Sequence, residues 1–109
     1  MNENKPIVVS PEREVRIGPV VTDLSILLGC NKSTPKTLVT LGDMSIANYW
    51  LSKGDQPPVY QVSCRGVAQQ EQGFLKKAYH FEVVTILGEP ISEELEARVT
   101  EIIRKAPSD

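Results

Sequence analysis

With 109 residues, 40% apolar and 24% charged, the chain has the size of one ordinary domain and a composition that excludes wholesale disorder. Its formal net charge of −2 and pI near 5.4 remove the basic excess on which nucleic-acid binders depend. No stretch approaches the roughly 18–20 apolar residues that a membrane-spanning helix needs.

Residues 1–12 are polar, contain Pro6 and Pro11, and read as an N-terminal arm to a single α/β domain over 13–109. Within the arm, Ile7-Val8-Val9 suits a short edge strand. Glu14-Val15-Arg16-Ile17 alternates as a half-buried strand does, and Gly18-Pro19 reads as its break. Residues 20–28 fit a strand or a short buried helix. The shared parity of Val20, Leu24, Ile26 and Leu28, with β-branched Val20-Val21-Thr22, favours strand. Residues 31–36, NKSTPK, carry turn chemistry.

An apolar run over 38–41 predicts an interior strand ending at Gly42. Asp43 or Ser45 can then cap a helix over 44–53, with Ile46, Ala47, Trp50 and Leu51 as its buried stripe. Tyr49 and Asn48 would lie off that stripe, exposed. Residues 59–65 alternate as a strand, with Tyr60, Val62 and Cys64 on the apolar side. After Gly66 a helix is expected over 67–80, with Val67, Glu71, Phe74, Leu75 and Ala78 on one side, despite Gly73. The run over 82–87 reads as a central strand. A final helix over 92–105 is expected to bury Leu95, Val99, Ile102 and Ile103, with Ser92 as cap and glutamates in its first turns.

Strand, glycine and helix thus recur three times, at Gly42, Gly66 and Gly88. That rhythm, β-α-β-α-β-α after an N-terminal β segment, predicts an α/β or α+β fold with helices on a mainly parallel or mixed sheet, in two or three layers.

Few residues suggest chemistry. His80, the only histidine, is expected at a helix end with no nucleophile motif to serve. Cys64 precedes Arg65-Gly66, where a helix start and a cation would activate a thiol, but its apolar parity favours a buried, inert one. Cys30 and Cys64 form no CxxC, and with one histidine they make no standard zinc spacing, so neither metal nor cofactor is expected. Of the glycine junctions, only Arg65-Gly66-Val67-Ala68 pairs a cation with no acid, which makes it the candidate anion or partner site. The start MNENKPIVVS has no basic region before a long apolar run, so the expectation is a cytoplasmic chain with free thiols.

Two stretches within 38–80 resemble the Alba family of small chromatin and RNA-binding proteins. Leu41-Gly42 followed by Asn48-Tyr49 is similar to that family's strand-glycine-asparagine-tyrosine opening, and Arg65-Gly66 to its turn into a second helix. Asp43 and Met44 stand where the family places lysines that touch nucleic acid. The resemblance implies nucleic-acid binding through Arg65, Lys76 and Lys77.

The reading that best fits the whole chain is a small non-enzymatic interaction module, self-associating or docking onto a protein partner, with Arg65, Gly66, Asn48 and Tyr49 as candidate contacts. The alternatives are an Alba-like nucleic-acid binder and a small-molecule or thiol-dependent site at Cys64-Arg65-Gly66. Three phosphate contacts by Arg65, Lys76 and Lys77 would give a salt slope of at most about −2.7. A gel-shift titration at physiological salt is therefore expected to show no binding to duplex DNA or RNA. Tight binding with a steeper slope would reverse the order of these readings.

Overall fold

Leu41 and Met44 face each other across the two-residue turn Gly42-Asp43, and Gly42 has φ of 62°. A left-handed glycine in the first turn position is what a type II′ hairpin requires. The turn joins β3 (Lys32–Leu41) to β4 (Met44–Ser52), so the helix expected over 44–53 is a strand. In the computed structural model, which describes residues 5–68 and 74–108, β5 (Tyr60–Ala68) and β6 (Leu75–Thr85) continue this antiparallel meander. β1 (Ile7–Val9) and β2 (Val15–Arg16) both pair with the outer side of β6. The strand order is β1-β6-β5-β4-β3.

Only two helices are present among the described residues, α1 (Ile17–Leu27) and α2 (Glu93–Arg104). The β-α-β-α-β-α rhythm and its parallel or mixed sheet are therefore overturned by a six-stranded antiparallel sheet with two helices. The expected helix over 67–80 is replaced at both ends by strand, and its middle, with Glu71 and Gly73, lies outside the described residues. The strand expected over 82–87 is the end of β6, which stops at Thr85, and Ile86 and Leu87 beyond it are exposed. Of the two elements that the Alba resemblance implies as helices, the first is strand β4 and the second is strand at its described ends.

The strand favoured over 20–28 is helix α1. Ile17, Val20, Val21, Leu24 and Leu28 are buried, spaced i, i+3, i+4, i+7 and i+11, whereas Ile26, which strand parity would bury, is 71% exposed. Pro19 falls in the first turn, where its missing N–H has no intrahelical partner to lose. Gly29, at φ of 74°, ends the helix. Its N–H donates to the Ile26 carbonyl, and the Cys30 N–H donates to that of Ser25, a Schellman closure. The turn expected over 31–36 is the start of β3, with a bulge between Pro35 and Thr37.

Helix α2 stands where the sequence places it. The Leu95 N–H donates to Ser92 Oγ at 3.1 Å, and Lys105 pairs with Glu101 at 2.9 Å. Val99 and Ile103 are fully buried, while Leu95 and Ile102 pack from the margin. Its C-terminal end is held by Arg13, whose Nη2 donates to the carbonyls of Arg104 and Ala106 at 2.7 Å each, where the helix dipole favours a cation. Both helices contribute to one core with the sheet face that carries Val62, Cys64, Phe81 and Val83.

Gly66 has no helix to start. It lies at a register shift in β5, opposite Ala78, and a Cβ there would collide with the Lys77 carbonyl oxygen and the Ala78 Cα. Gly18, in α1, has open space around it. Gly66→Ala is expected to lower unfolding free energy by roughly 1–3 kcal/mol or more. Gly18→Ala is expected to raise it by about 0.5–1 kcal/mol, because alanine is the better helix former. Urea denaturation of the two variants checks both signs.

Candidate functional site

The helices cover one face of the sheet and leave the other open. Antiparallel register sets the side chains of the open face in rows across the strands. His80, Arg65, Ile46 and Val39 form one row, and Glu82, Ser63, Asn48 and Thr37 the next. Val84, Gln61, Trp50 and Thr34 form a third. A ladder of hydrogen bonds runs along the middle. Trp50 Nε1 donates to Gln61 Oε1 at 3.1 Å, Gln61 Nε2 to Ser63 Oγ at 3.5 Å, and Ser63 Oγ to Asn48 Oδ1 at 2.7 Å. Polar groups on an uncovered, half-buried face are thereby satisfied by one another. The Lys36 ammonium lies 4.7 Å from the centre of the Trp50 ring. Trp50, expected in the core, thus belongs to the open face.

His80 sits within β6, not at a helix end. Its Nδ1 is 2.8 Å from Ser10 Oγ, just beyond β1, and its Nε2 is 3.7 Å from Glu82 Oε2. Hydroxyl, imidazole and carboxylate in line are the parts of an activated nucleophile. Yet Pro11 follows Ser10 and has no N–H to offer a developing oxyanion, and the oxyanion donors are what give such a group its power. The contact ties the end of β1 to β6. Beside it lies a cleft of about 240 Å³ lined by Ile46, Ser63, Cys64, Arg65, His80 and Glu82.

The candidate contacts are divided between the two faces. Asn48 and Arg65 lie on the open face, where the Arg65 guanidinium stands 5.8 Å from the Tyr79 ring. Tyr49 is half-buried on the helix side with Val62 and Cys64, and burial, followed by the neighbouring Cys64, pushes its phenol up. Gly66 is buried at the bulge. Lys76 borders a groove of about 460 Å³ with Pro19, Tyr49 and exposed Phe74, and Lys77 stands 4.0 Å from Glu14. Lys77 pairs with Val67 and so shares the open face with Arg65, whereas Lys76 borders the groove beside Pro19 and Tyr49. Among the described residues no group of three or more His, Cys, Asp or Glu could hold a metal ion, and no helix is long and apolar enough to cross a membrane.

The feature that sequence reasoning missed is the outer edge of β3. Every residue of the strand except Thr34 is exposed, and Leu38, Val39 and Leu41 are 41%, 43% and 66% exposed. Its first half carries Lys32, Pro35, Lys36 and the bulge, the devices that discourage strand addition. Residues 37–41, Thr-Leu-Val-Thr-Leu, carry none. Since Leu41 and Met44 close a two-residue turn, they form a hydrogen-bonded pair. Val39 and Thr37 likewise direct their backbone groups to β4, and Leu38 and Thr40 direct theirs to the open edge. The sequence signal was present: an apolar run followed by Gly-Asp reads as a two-residue hairpin as readily as a strand end and helix cap.

No protein-family model, curated protein or solved structure matches this chain.

Cys64, on the helix side of β5, is 1% exposed, and burial pushes its thiol far up. The folded protein therefore keeps it protonated through the neutral range. An unfolded thiol ionises near 9.0, so the contribution of this group is full below that pH and is lost as pH rises past it. Alkylation by iodoacetamide at pH 8, followed by mass spectrometry, should leave Cys64 unmodified in the native protein and modify it in denaturant. Rapid native labelling would restore the thiol-dependent reading of Cys64-Arg65-Gly66.

Proposed function

We propose that the protein is a non-enzymatic interaction module that binds an extended polypeptide by adding it as a strand to the open edge of β3. The observation that carries this reading is segment 37–41, an uncharged run of threonine, leucine and valine on an edge that no other strand among the described residues pairs with. Strand addition draws affinity from main-chain hydrogen bonds and specificity from alternate side chains. The edge offers both. Leu38 and Thr40 supply outward N–H and C=O groups, and the two faces supply different surroundings. On the open face Val39 lies beside Ile46, and Leu41 beside Met44. On the helix face Leu38 joins Pro35, Tyr49 and Phe74 around a groove of about 170 Å³.

The opposite edge favours the same choice by contrast. β1 and β2 are only three and two residues long, and the chain around them carries Pro6, Pro11, Arg13, Glu14 and Arg16. Short strands, prolines and charges make a guarded edge. The nucleic-acid reading draws less support, since the chain carries a net charge of −2 and Lys77, on the same face as Arg65, stands 4.0 Å from Glu14.

A soluble synthetic peptide with an alternating Thr-Val core is the probe. On titration, NMR amide shifts are expected to concentrate on residues 37–41, with Leu38 and Thr40 gaining protection from hydrogen exchange. Leu38→Pro removes an outward donor without touching the bonds to β4, and should abolish the effect while α2 signals stay native. Shifts centred on the cleft around Arg65, or binding indifferent to Leu38→Pro, would refute the reading.

A further inference from the structure

We propose that the strand added to β3 is β3 of a second copy, antiparallel and centred on Val39, so that two chains share one continuous sheet. This rests on the strand-addition reading and goes beyond it by naming the partner and the register.

The register follows from three constraints. First, hydrogen-bonded pairs across the new seam must join residues that point their backbone groups outward. On β3 these are Leu38 and Thr40, within the part that precedes the Gly42 turn and follows the bulge. Second, the interface of two identical chains about a twofold axis is self-complementary: if one residue meets another, the reverse contact also forms. Third, the ladder must avoid the guarded half of the strand. Pairing Leu38 with the second copy's Thr40 meets all three. Val39 then faces Val39, and Thr37 faces Leu41, with every paired residue inside segment 37–41.

Neighbouring registers fail on visible grounds. A slip of one residue sets outward groups of one chain against inward groups of the other. Centring on Leu38 brings Thr40 opposite Lys36, at the bulge, where the strand bends and its pairing to β4 shifts. Centring on Thr40 brings Leu38 opposite Gly42, in the turn. The Val39-centred register alone uses the unguarded segment in full.

Side-chain chemistry agrees. Each leucine meets a threonine, and the valine on the axis meets its own copy, a β-branched pair of the kind sheets favour. Just outside the segment Lys36 faces Gly42, one position from the second copy's Asp43. Charges of opposite sign are neighbours at both ends of the seam, and no lysine faces a lysine. The axis runs perpendicular to the sheet. Both helical layers therefore lie on the same side, and the two open faces merge.

Val39→Cys is the direct test, because only a residue on the axis can form a disulfide with its own copy. The non-hydrogen-bonded pair there brings Cα atoms to about 4.5 Å, within disulfide reach. Native Cys30 and Cys64 are buried and free, so the unaltered protein is the control. Mild oxidation of folded Val39→Cys should give a covalent dimer, whereas Leu41→Cys, which faces Thr37, should not. Sedimentation equilibrium should show concentration-dependent dimers for the native chain. Val39→Lys should weaken them by about tenfold or more, through two like charges placed on the axis. Position 39 is 43% exposed, and unchanged circular dichroism would show that the lysine variant folds. A native chain that stays monomeric at millimolar concentration, while the Thr-Val peptide still binds β3, overturns the second copy and leaves strand addition standing. Dimers that form without the Val39 crosslink and ignore Val39→Lys overturn the register. If in those dimers the Leu38 and Thr40 amides also stay unprotected, strand addition falls with it.

Discussion

The turn at Gly42-Asp43 sets the parity on which the sheet depends. Because it spans two residues, Leu41 faces Met44, and the pairs between β3 and β4 follow as far as Thr37 and Asn48, where the bulge shifts them by one. A shift of one residue would exchange the faces. Ala47, Tyr49 and Leu51 would leave the helices, and Ile46, Asn48 and Trp50 would enter the core with their polar groups unmatched. The same parity passes through β5 to β6, so that Ala47, Cys64 and Phe81 form one buried row and Ile46, Arg65 and His80 an open one. It also decides which backbone groups of β3 meet solvent.

The remaining contacts secure that arrangement. Gly66 lets β6 approach β5 at the bulge, where a side chain would collide with backbone. Arg13 joins the start of the fold to its end by holding the last carbonyls of α2, and the Arg16 N–H donates to the Pro107 carbonyl at 2.9 Å. These clamps lie beside the β1 and β2 edge. The sheet is therefore closed off and charged on one side, with an exposed, partly unguarded strand on the other.

Legibility followed how sharply each element separates its faces. Helix α2 has charged residues all along its solvent side and aliphatic residues at helical spacing, so one period fits and the other does not. The short strand Ile7-Val8-Val9 and the alternation of β5 were legible for the same reason. In β4 the solvent-facing row contains Ile46 and Trp50, and the core-facing row contains Ala47 and Tyr49. Alternation is blurred, and a false helical stripe emerges. In β6 the bulges shift Leu75 and Ala78 out of simple alternation, which also imitates a helical spacing. In α1, β-branched valines outweighed a helical stripe that Gly29 should have completed as a terminator. Of the candidate site residues, Arg65 reads as the polar side of a strand and Asn48 as exposed but on a helix, whereas the run over 38–41 reads as interior because it is apolar.

By itself the sequence determined an aliphatic core, a buried Cys64, a short N-terminal strand and a C-terminal amphipathic helix. Those properties depend on composition and on periodicities within a few residues. Tertiary structure decided the antiparallel meander, the sidedness of the sheet and the fact that an apolar strand ends the sheet instead of crossing its middle. An apolar run states that a strand can be buried, not whether a neighbour arrives to bury it. That depends on pairing between segments distant in sequence, and among the described residues β3 has a neighbour on one side only.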